Sequence, residues 1–284
     1  MQIVAATDFS TRANRAIRQA GLLAQARDAK VTLLHVIDDD QPAQMIDLEK
    51  REAEQMLAEQ LSAVPELRGV QCRPIVVTGD PFDGIVREAT GLGADLIVMG
   101  SHRKQALRDM FIGTTLERVI RTGSLPVLMV NNEAQRHYTN VLASVDMSEP
   151  SAQALRVAQS LGLIGQGGAT LVHAFVAPGE GKMRLAGLEQ ASIEEYVAAE
   201  RQRARQELDQ FLTAHELGAA RWSFHLDEGS PIEVLSRAVE AKRPDLLVMG
   251  TNGRSGLART IIGSVAEEAL RTLDVDILTV PPLR

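Results

Sequence analysis

The sequence predicts an α/β protein made of two tandem copies of one domain, each a five-stranded parallel sheet flanked by helices. Three observations lead there. At 284 residues the chain exceeds one typical domain and suits two, each large enough to bury its own core. Segments recur along it in the same order. Within each copy, short apolar runs alternate with stretches of helical periodicity, the pattern of βαβ units around a parallel sheet.

The repeat fixes the organisation. Ile3-Val4-Ala5-Ala6-Thr7-Asp8-Phe9-Ser10 matches Val141-Leu142-Ala143-Ser144-Val145-Asp146-Met147-Ser148, and Leu33-Leu34-His35 matches Leu171-Val172-His173, all at an offset of 138. Further on the offset becomes 150: Gly79-Asp80-Pro81 with Gly229-Ser230-Pro231, Asp95-Leu96-Ile97-Val98-Met99-Gly100 with Asp245-Leu246-Leu247-Val248-Met249-Gly250, and Gly113-Thr114 with Gly263-Ser264. The second copy therefore carries twelve extra residues between His173 and Gly229. We place the first domain at 1–136 and the second at 137–284. The polar stretch 131–137 between them is short, so the domains are expected to pack closely.

In the first copy the strands are expected near 3–6, 31–36, 72–77, 96–99 and 127–130. The first helix opens at Ser10 or Thr11 as cap and places Ala13, Ile17, Ala20 and Leu23 on one face. A second helix covers about 43–63, and a third follows Pro81, whose fixed φ suits a first turn. The fourth begins after Gly113 and ends near Gly123, expected to close it in a left-handed conformation. The second copy repeats the plan with its second helix at about 192–214. Its insertion, around Pro178-Gly179-Glu180-Gly181-Lys182 and on to Gly187, reads as a longer loop, either a flap over a ligand or a solvated excursion.

Composition excludes several classes. Apolar residues are 45% and charged residues 24% of the chain, ordinary for a globular protein, and both halves are net acidic within a total of −7. No basic face for nucleic acid is expected. Cys72 is the single cysteine, so there is no intramolecular disulfide and no polythiolate metal site. No stretch reads as a signal peptide or membrane span, so the expected location is the cytoplasm.

In an open parallel sheet, ligands lie beyond the C-terminal ends of the strands. Asp8 and Asp146 follow first strands, where a carboxylate can accept ribose hydroxyls; the same residues also suit the first turn of the next helix. After the fourth strand of the second copy comes Gly250-Thr251-Asn252-Gly253, then nine residues, then Gly263-Ser264-Val265-Ala266. Glycines let backbone approach an anion, a following helix end directs amides at it, and Ser264 adds a hydroxyl.

These residues resemble the universal stress protein family. The run from Met249 through Gly256-Leu257 to Gly263-Ser264-Val265-Ala266-Glu267 is similar to its G-x-x-G-x9-G-[S/T] nucleotide motif, complete. The Asp then Ser after the first strand, the Leu-Leu-His-Val strand, the Gly-x-Pro turn and the Asp-Leu-Ile-Val-Met-Gly strand extend the resemblance over nearly the whole chain. It implies a Rossmann-like, adenine nucleotide alpha hydrolase-like fold for each domain. It also implies that Asp146 holds ribose, backbone near Ala174 holds adenine, and Gly250, Gly253, Gly263, Ser264 and Val265 hold phosphates of ATP, ADP or AMP, with Mg²⁺. The first-copy equivalents are Asp8, Val36, Gly100, Gly113 and Thr114. There the pattern breaks: Arg103 replaces the second glycine, and either fills the phosphate volume or offers it a guanidinium, the first being favoured.

Other candidates are weaker. His35 and His173 sit inside apolar runs, as structural histidines do; His102 has no evident partner; Asp38-Asp39-Asp40 reads as a solvated loop or a cation contact; helix 192–214 presents mixed charges. No Ser-His-Asp set, HExxH, CxxC or P-loop motif occurs. The expected function is a nucleotide-binding stress regulator or sensor, a slow ATPase at most. Its alternatives are a nucleotide-independent interaction scaffold and an enzyme using Asp146 or His225 as base. The apolar fifth strands, at 126–130 and 276–280, are expected to pair within the chain as a pseudo-dimer; a homodimer stays open.

Overall fold

The computed structural model describes residues 1–101, 114–165, 168–218, 221–253 and 262–282. His102, Arg103, Gly113 and the run 254–261 lie outside them.

The first copy runs β1 (Gln2–Ala6), α1 (Thr11–Arg27), β2 (Lys30–Ile37), α2 (Ala43–Ala63), β3 (Gln71–Thr78), α3 (Pro81–Gly91), β4 (Leu96–Gly100), α4 (Thr115–Thr122) and β5 (Val127–Val130). The second runs β6 (Val141–Ser144), α5 (Glu149–Ser160), β7 (Ala169–Phe175), α6 (Glu180–Leu185), α7 (Gln190–Ala214), β8 (Trp222–Glu228), α8 (Pro231–Lys242), β9 (Leu246–Gly250), α9 (Ser264–Thr272) and β10 (Asp276–Val280). The strands form one sheet in the order β3-β2-β1-β4-β5-β10-β9-β6-β7-β8. Each half is parallel, and the halves join where β5 meets β10 antiparallel, with Met129 opposite Ile277 and Leu128 opposite Leu278. All four residues of β5 and all five of β10 are buried. The edge that each half would otherwise expose is thereby covered by the other.

Two apolar layers sandwich the sheet. One, containing Ile17, Leu57, Leu155 and Leu208, lies under α1, α2, α5 and α7; the other, containing Ile85, Ile120, Leu235 and Leu270, lies under α3, α4, α8 and α9. Both cross the β5–β10 seam. Strands buried on both faces explain why they read in sequence as continuous apolar runs.

Local chemistry fixes the helix starts. Ser10 Oγ accepts from Ala13 N at 3.2 Å, Ser148 caps α5, and Asp80 Oδ1 accepts from Phe82 N at 3.0 Å ahead of Pro81. Gly79 and Gly229, in the turns before α3 and α8, have φ of +134° and +140°, backbone that side-chain-bearing residues avoid.

Two expectations are corrected. Gly123 closes α4 with φ of −69°, not left-handed; glycine is needed because a Cβ there would lie 2.5 Å from the Val119 carbonyl oxygen. The insertion contains the helix α6 within what reads as loop, held where Gly179 N donates to Tyr196 Oη at 3.0 Å.

The copies also exchange volume at one contact. A Cβ on Gly84 of α3 would lie 2.8 Å from Val36 Cγ1, whereas the repeat places Val234 and Ala174 at these two positions. Large on strand with small on helix in one copy becomes small on strand with large on helix in the other. Gly84→Val is therefore expected to destabilise the protein by about 2 kcal/mol through overpacking. Adding Val36→Ala should return most of that loss, as urea unfolding of the single and double variants will show.

Candidate functional site

Within each half the strand order reverses beside β1 or β6, which sends its neighbours' crossovers to opposite faces. A cavity opens there, beyond the strand ends, in both copies.

The second-copy cavity has a volume of about 390 Å³. It brings together Asp146, Ala174, Gly250, Gly253, Gly263, Ser264 and Val265, every residue that the motif singles out in this copy. The first-copy cavity, about 290 Å³, gathers Asp8, Val36, Gly100 and Thr114. Gly113 falls outside the described residues.

Asp146 stands two residues past the end of β6. Its Oδ1 accepts from Ser148 N at 3.1 Å and from Ser148 Oγ, while Oδ2 lies against Gly253, where a Cβ would come within 2.7 Å. The intervening Met147 has φ of +62°, and Phe9, between Asp8 and Ser10, has φ of +59°. A left-handed non-glycine residue at the same point of both copies stores strain to turn the aspartate toward the cavity. In both copies the carboxylate braces the helix start by accepting from the serine amide two residues on, and it lines the cavity.

The histidines have a structural role that their position in apolar runs suggests. His35 Nδ1 donates to the Thr7 carbonyl at 2.8 Å and His173 Nδ1 to the Val145 carbonyl at 2.7 Å, tying the second strand of each copy to the segment that carries the aspartate.

The glycines divide into two kinds. Gly100 and Gly250 end β4 and β9 against the first turn of α1 and α5; a Cβ on Gly100 would sit 2.6 Å from Arg12 C, and one on Gly250 3.1 Å from the Pro150 carbonyl oxygen. Packing explains them. Gly253 is different, since its missing side chain leaves room for Asp146. Gly263 N donates to the Thr251 carbonyl at 2.7 Å, which holds the start of α9 beside the buried Thr251.

The helix that follows differs between copies. Thr114 caps α4, its Oγ1 accepting from Glu117 N at 3.1 Å. In the second copy Gly263 occupies the cap position and, among the described residues, no side chain caps α9. The first amides of α9 have no intrahelical acceptor, and Ser264 and Val265 of this turn line the cavity. Sequence comparison of Thr114 with Ser264 does not reveal this shift of one residue.

The insertion borders a cavity of its own. Glu180 of α6 lies near Glu228 at the end of β8, and burial together with this neighbour raises the Glu228 pKa. A cavity of about 300 Å³ between α6 and α7 shares no described lining residue with the second-copy cavity. Among the described residues, no group of three or more His, Cys, Asp or Glu side chains is arranged for a metal, and no helix is long and apolar enough to cross a membrane.

Fold and site together define a tandem of two parallel α/β domains, each with a cavity at its switch point. A profile of the universal stress protein family matches residues 1–131 and again 137–281, and the chain belongs to this family. It is 26% identical over 207 residues to universal stress protein E of Escherichia coli, an alignment covering 71% of this chain and 65% of that protein. It is 33% identical over 138 residues to a universal stress protein of Methanocaldococcus jannaschii, covering 45% of this chain and 81% of the relative. A crystal structure of a universal stress protein from Archaeoglobus fulgidus shares the fold, with TM-score 0.73 at 18% identity over 99% of this chain and 98% of that one.

Proposed function

We propose that the chain is a nucleotide-binding stress regulator whose main site is the second-copy cavity, which takes ATP or a related adenine nucleotide. One observation carries the reading: the uncapped start of α9 and the carboxylate of Asp146 line a single cavity of about 390 Å³. An amide cluster suits phosphate, and a strand-end carboxylate suits ribose hydroxyls. Gly250, Gly253, Gly263, Ser264 and Val265 line the phosphate side, and Ala174 the adenine side, as the family motif implies.

Mg²⁺ fits this site only as a companion of the phosphates. The described residues supply no carboxylate cluster to hold it alone, and Mg²⁺ is commonly carried by phosphate oxygens and water. The role proposed is binding, with slow hydrolysis at most.

The test is calorimetric titration of ATP with Mg²⁺ into protein freed of co-purified nucleotide, for wild type and Gly263→Trp. Circular dichroism first establishes that the variant is folded. Wild type is expected to bind one equivalent at this site and Gly263→Trp none there. Absence of binding to the wild type would overturn the reading and leave a nucleotide-independent scaffold in its place.

A further inference from the structure

The first-copy cavity differs from the second in charge and in bulk. Of the lining positions that differ between the copies, four bear on charge and volume. Arg12 stands where the second copy has Pro150, and Thr115 where it has Val265. Val36 replaces Ala174, and Leu116 replaces Ala266. Arg12, Thr115, Val36 and Leu116 all line the first cavity. Two changes add hydrogen-bond donors and two add bulk. The cavity is accordingly smaller, about 290 Å³ against about 390 Å³.

Arg12 is the decisive member. The Gly100 contact fixes its backbone at the cavity wall, with a would-be Cβ only 2.7 Å from its carbonyl oxygen. Among the described residues Arg12 has no hydrogen-bond or ion-pair partner, unlike Arg15, which pairs with Glu133 at 2.6 Å, and Arg18, which pairs with Glu66 at 2.7 Å. A guanidinium lining a cavity without a carboxylate of its own is suited to an anionic ligand group, which it can hold through two parallel hydrogen bonds. Asp8 remains opposite in character: Oδ1 accepts from Ser10 N at 3.0 Å, and its other oxygen is available to a hydroxyl. The start of α4 is capped by Thr114, so here the positive charge comes from a side chain and not from a helix end.

We propose that the first-copy cavity is a separate binding site for a compact phosphorylated polyol, the size of a sugar monophosphate, with Arg12 on the phosphate and Asp8 on the hydroxyls. The added bulk of Val36 takes volume where Ala174 leaves room for a base in the second cavity, and Leu116 narrows the cavity further. The tandem then reads two ligands of different class, one in each half.

The test uses the full chain. Ribose 5-phosphate, inorganic phosphate and ribose are titrated calorimetrically into wild type, Arg12→Ala and Arg12→Pro. The proline variant installs the second copy's own residue at the second helical position, where Pro150 is already accommodated. Ribose 5-phosphate is expected to bind wild type more tightly than phosphate or ribose, and both variants should weaken it by at least about tenfold, the loss of a charge-assisted hydrogen-bond pair. Absence of ribose 5-phosphate binding, binding no tighter than inorganic phosphate, or binding unchanged in both variants would overturn the proposal. ATP with Mg²⁺ is titrated separately, so failure of this site and failure of the nucleotide site are distinguishable.

Discussion

Gly253→Val is expected to lower the nucleotide affinity of the second cavity by about a hundredfold while leaving thermal unfolding nearly unchanged. The reason is a single contact. A Cβ at this position would lie 2.7 Å from Asp146 Oδ2, too close for any side chain, so the carboxylate must turn away or the loop must retreat. Either movement separates Asp146, the proposed ribose acceptor, from the amides at Ser264 and Val265. Stability is spared because Gly253 is outside the apolar layers and its φ is not left-handed, so valine adds no backbone strain. Calorimetric titration with ATP and Mg²⁺ measures the first quantity, and scanning calorimetry the second. Unchanged affinity in a folded variant would mean that Asp146 takes no part in the ligand's recognition.

A second large effect is expected at the junction of the copies. Asp276 opens β10, is 3% exposed, and accepts from Asn131 N at 2.8 Å, Asn132 N at 2.9 Å and Tyr138 Oη at 2.7 Å. The connecting segment between the copies is thereby fastened to the second copy's last strand. Asn131 Nδ2 adds a bond to the Val275 carbonyl at 2.6 Å. Asp276→Ala leaves the buried Asn131 amide, the Asn132 amide and the Tyr138 phenol without their acceptor, at a cost of about 3 kcal/mol. Urea unfolding measures it.

The same residue predicts a pH dependence. Burial, opposed by the hydrogen bonds from Tyr138, Asn132 and Asn131, raises the Asp276 pKa above the ordinary carboxylate value. Relative to the unfolded chain, the folded state therefore favours the protonated form. Its contribution is full below the unfolded pKa and is lost as pH rises through the raised folded value. Asp276→Asn keeps the shape, presents an oxygen to the two amides, and cannot ionise. The stability of the wild type should fall relative to Asp276→Asn as pH climbs through that window, and parallel curves would rule out this titration. Tyr138 stays a donor throughout, since burial and the adjacent Asp276 push its pKa well above the usual tyrosine value.

Much of the fold was legible. The first-copy strands expected at 3–6, 31–36, 72–77, 96–99 and 127–130 correspond to β1 through β5 within two residues at each end. Strands buried on both faces carry unbroken apolar runs, a signal that survives in the sequence. The second-copy candidates also gather in one cavity as their motif implies, because glycines and a strand-end acid are marked by local spacing. The insertion was less legible. Its glycines and polar residues read as loop, and α6 forms beside α7 where Tyr196 anchors its start. Gly123 looked like a left-handed cap because the usual reason for glycine there is conformational; here it is the proximity of a carbonyl one turn away.

By itself, the sequence determined the repeat, the α/β class, the order of elements and the identity of the second-copy candidates, since each depends on residues close together in the chain. Only the tertiary structure decided how the two sheets join, why Gly253 must lack a side chain, how Asp276 holds the connecting segment, and which cavity Arg12 lines. Those depend on groups tens to more than a hundred positions apart, whose distances are set by packing and leave no periodic trace in the sequence.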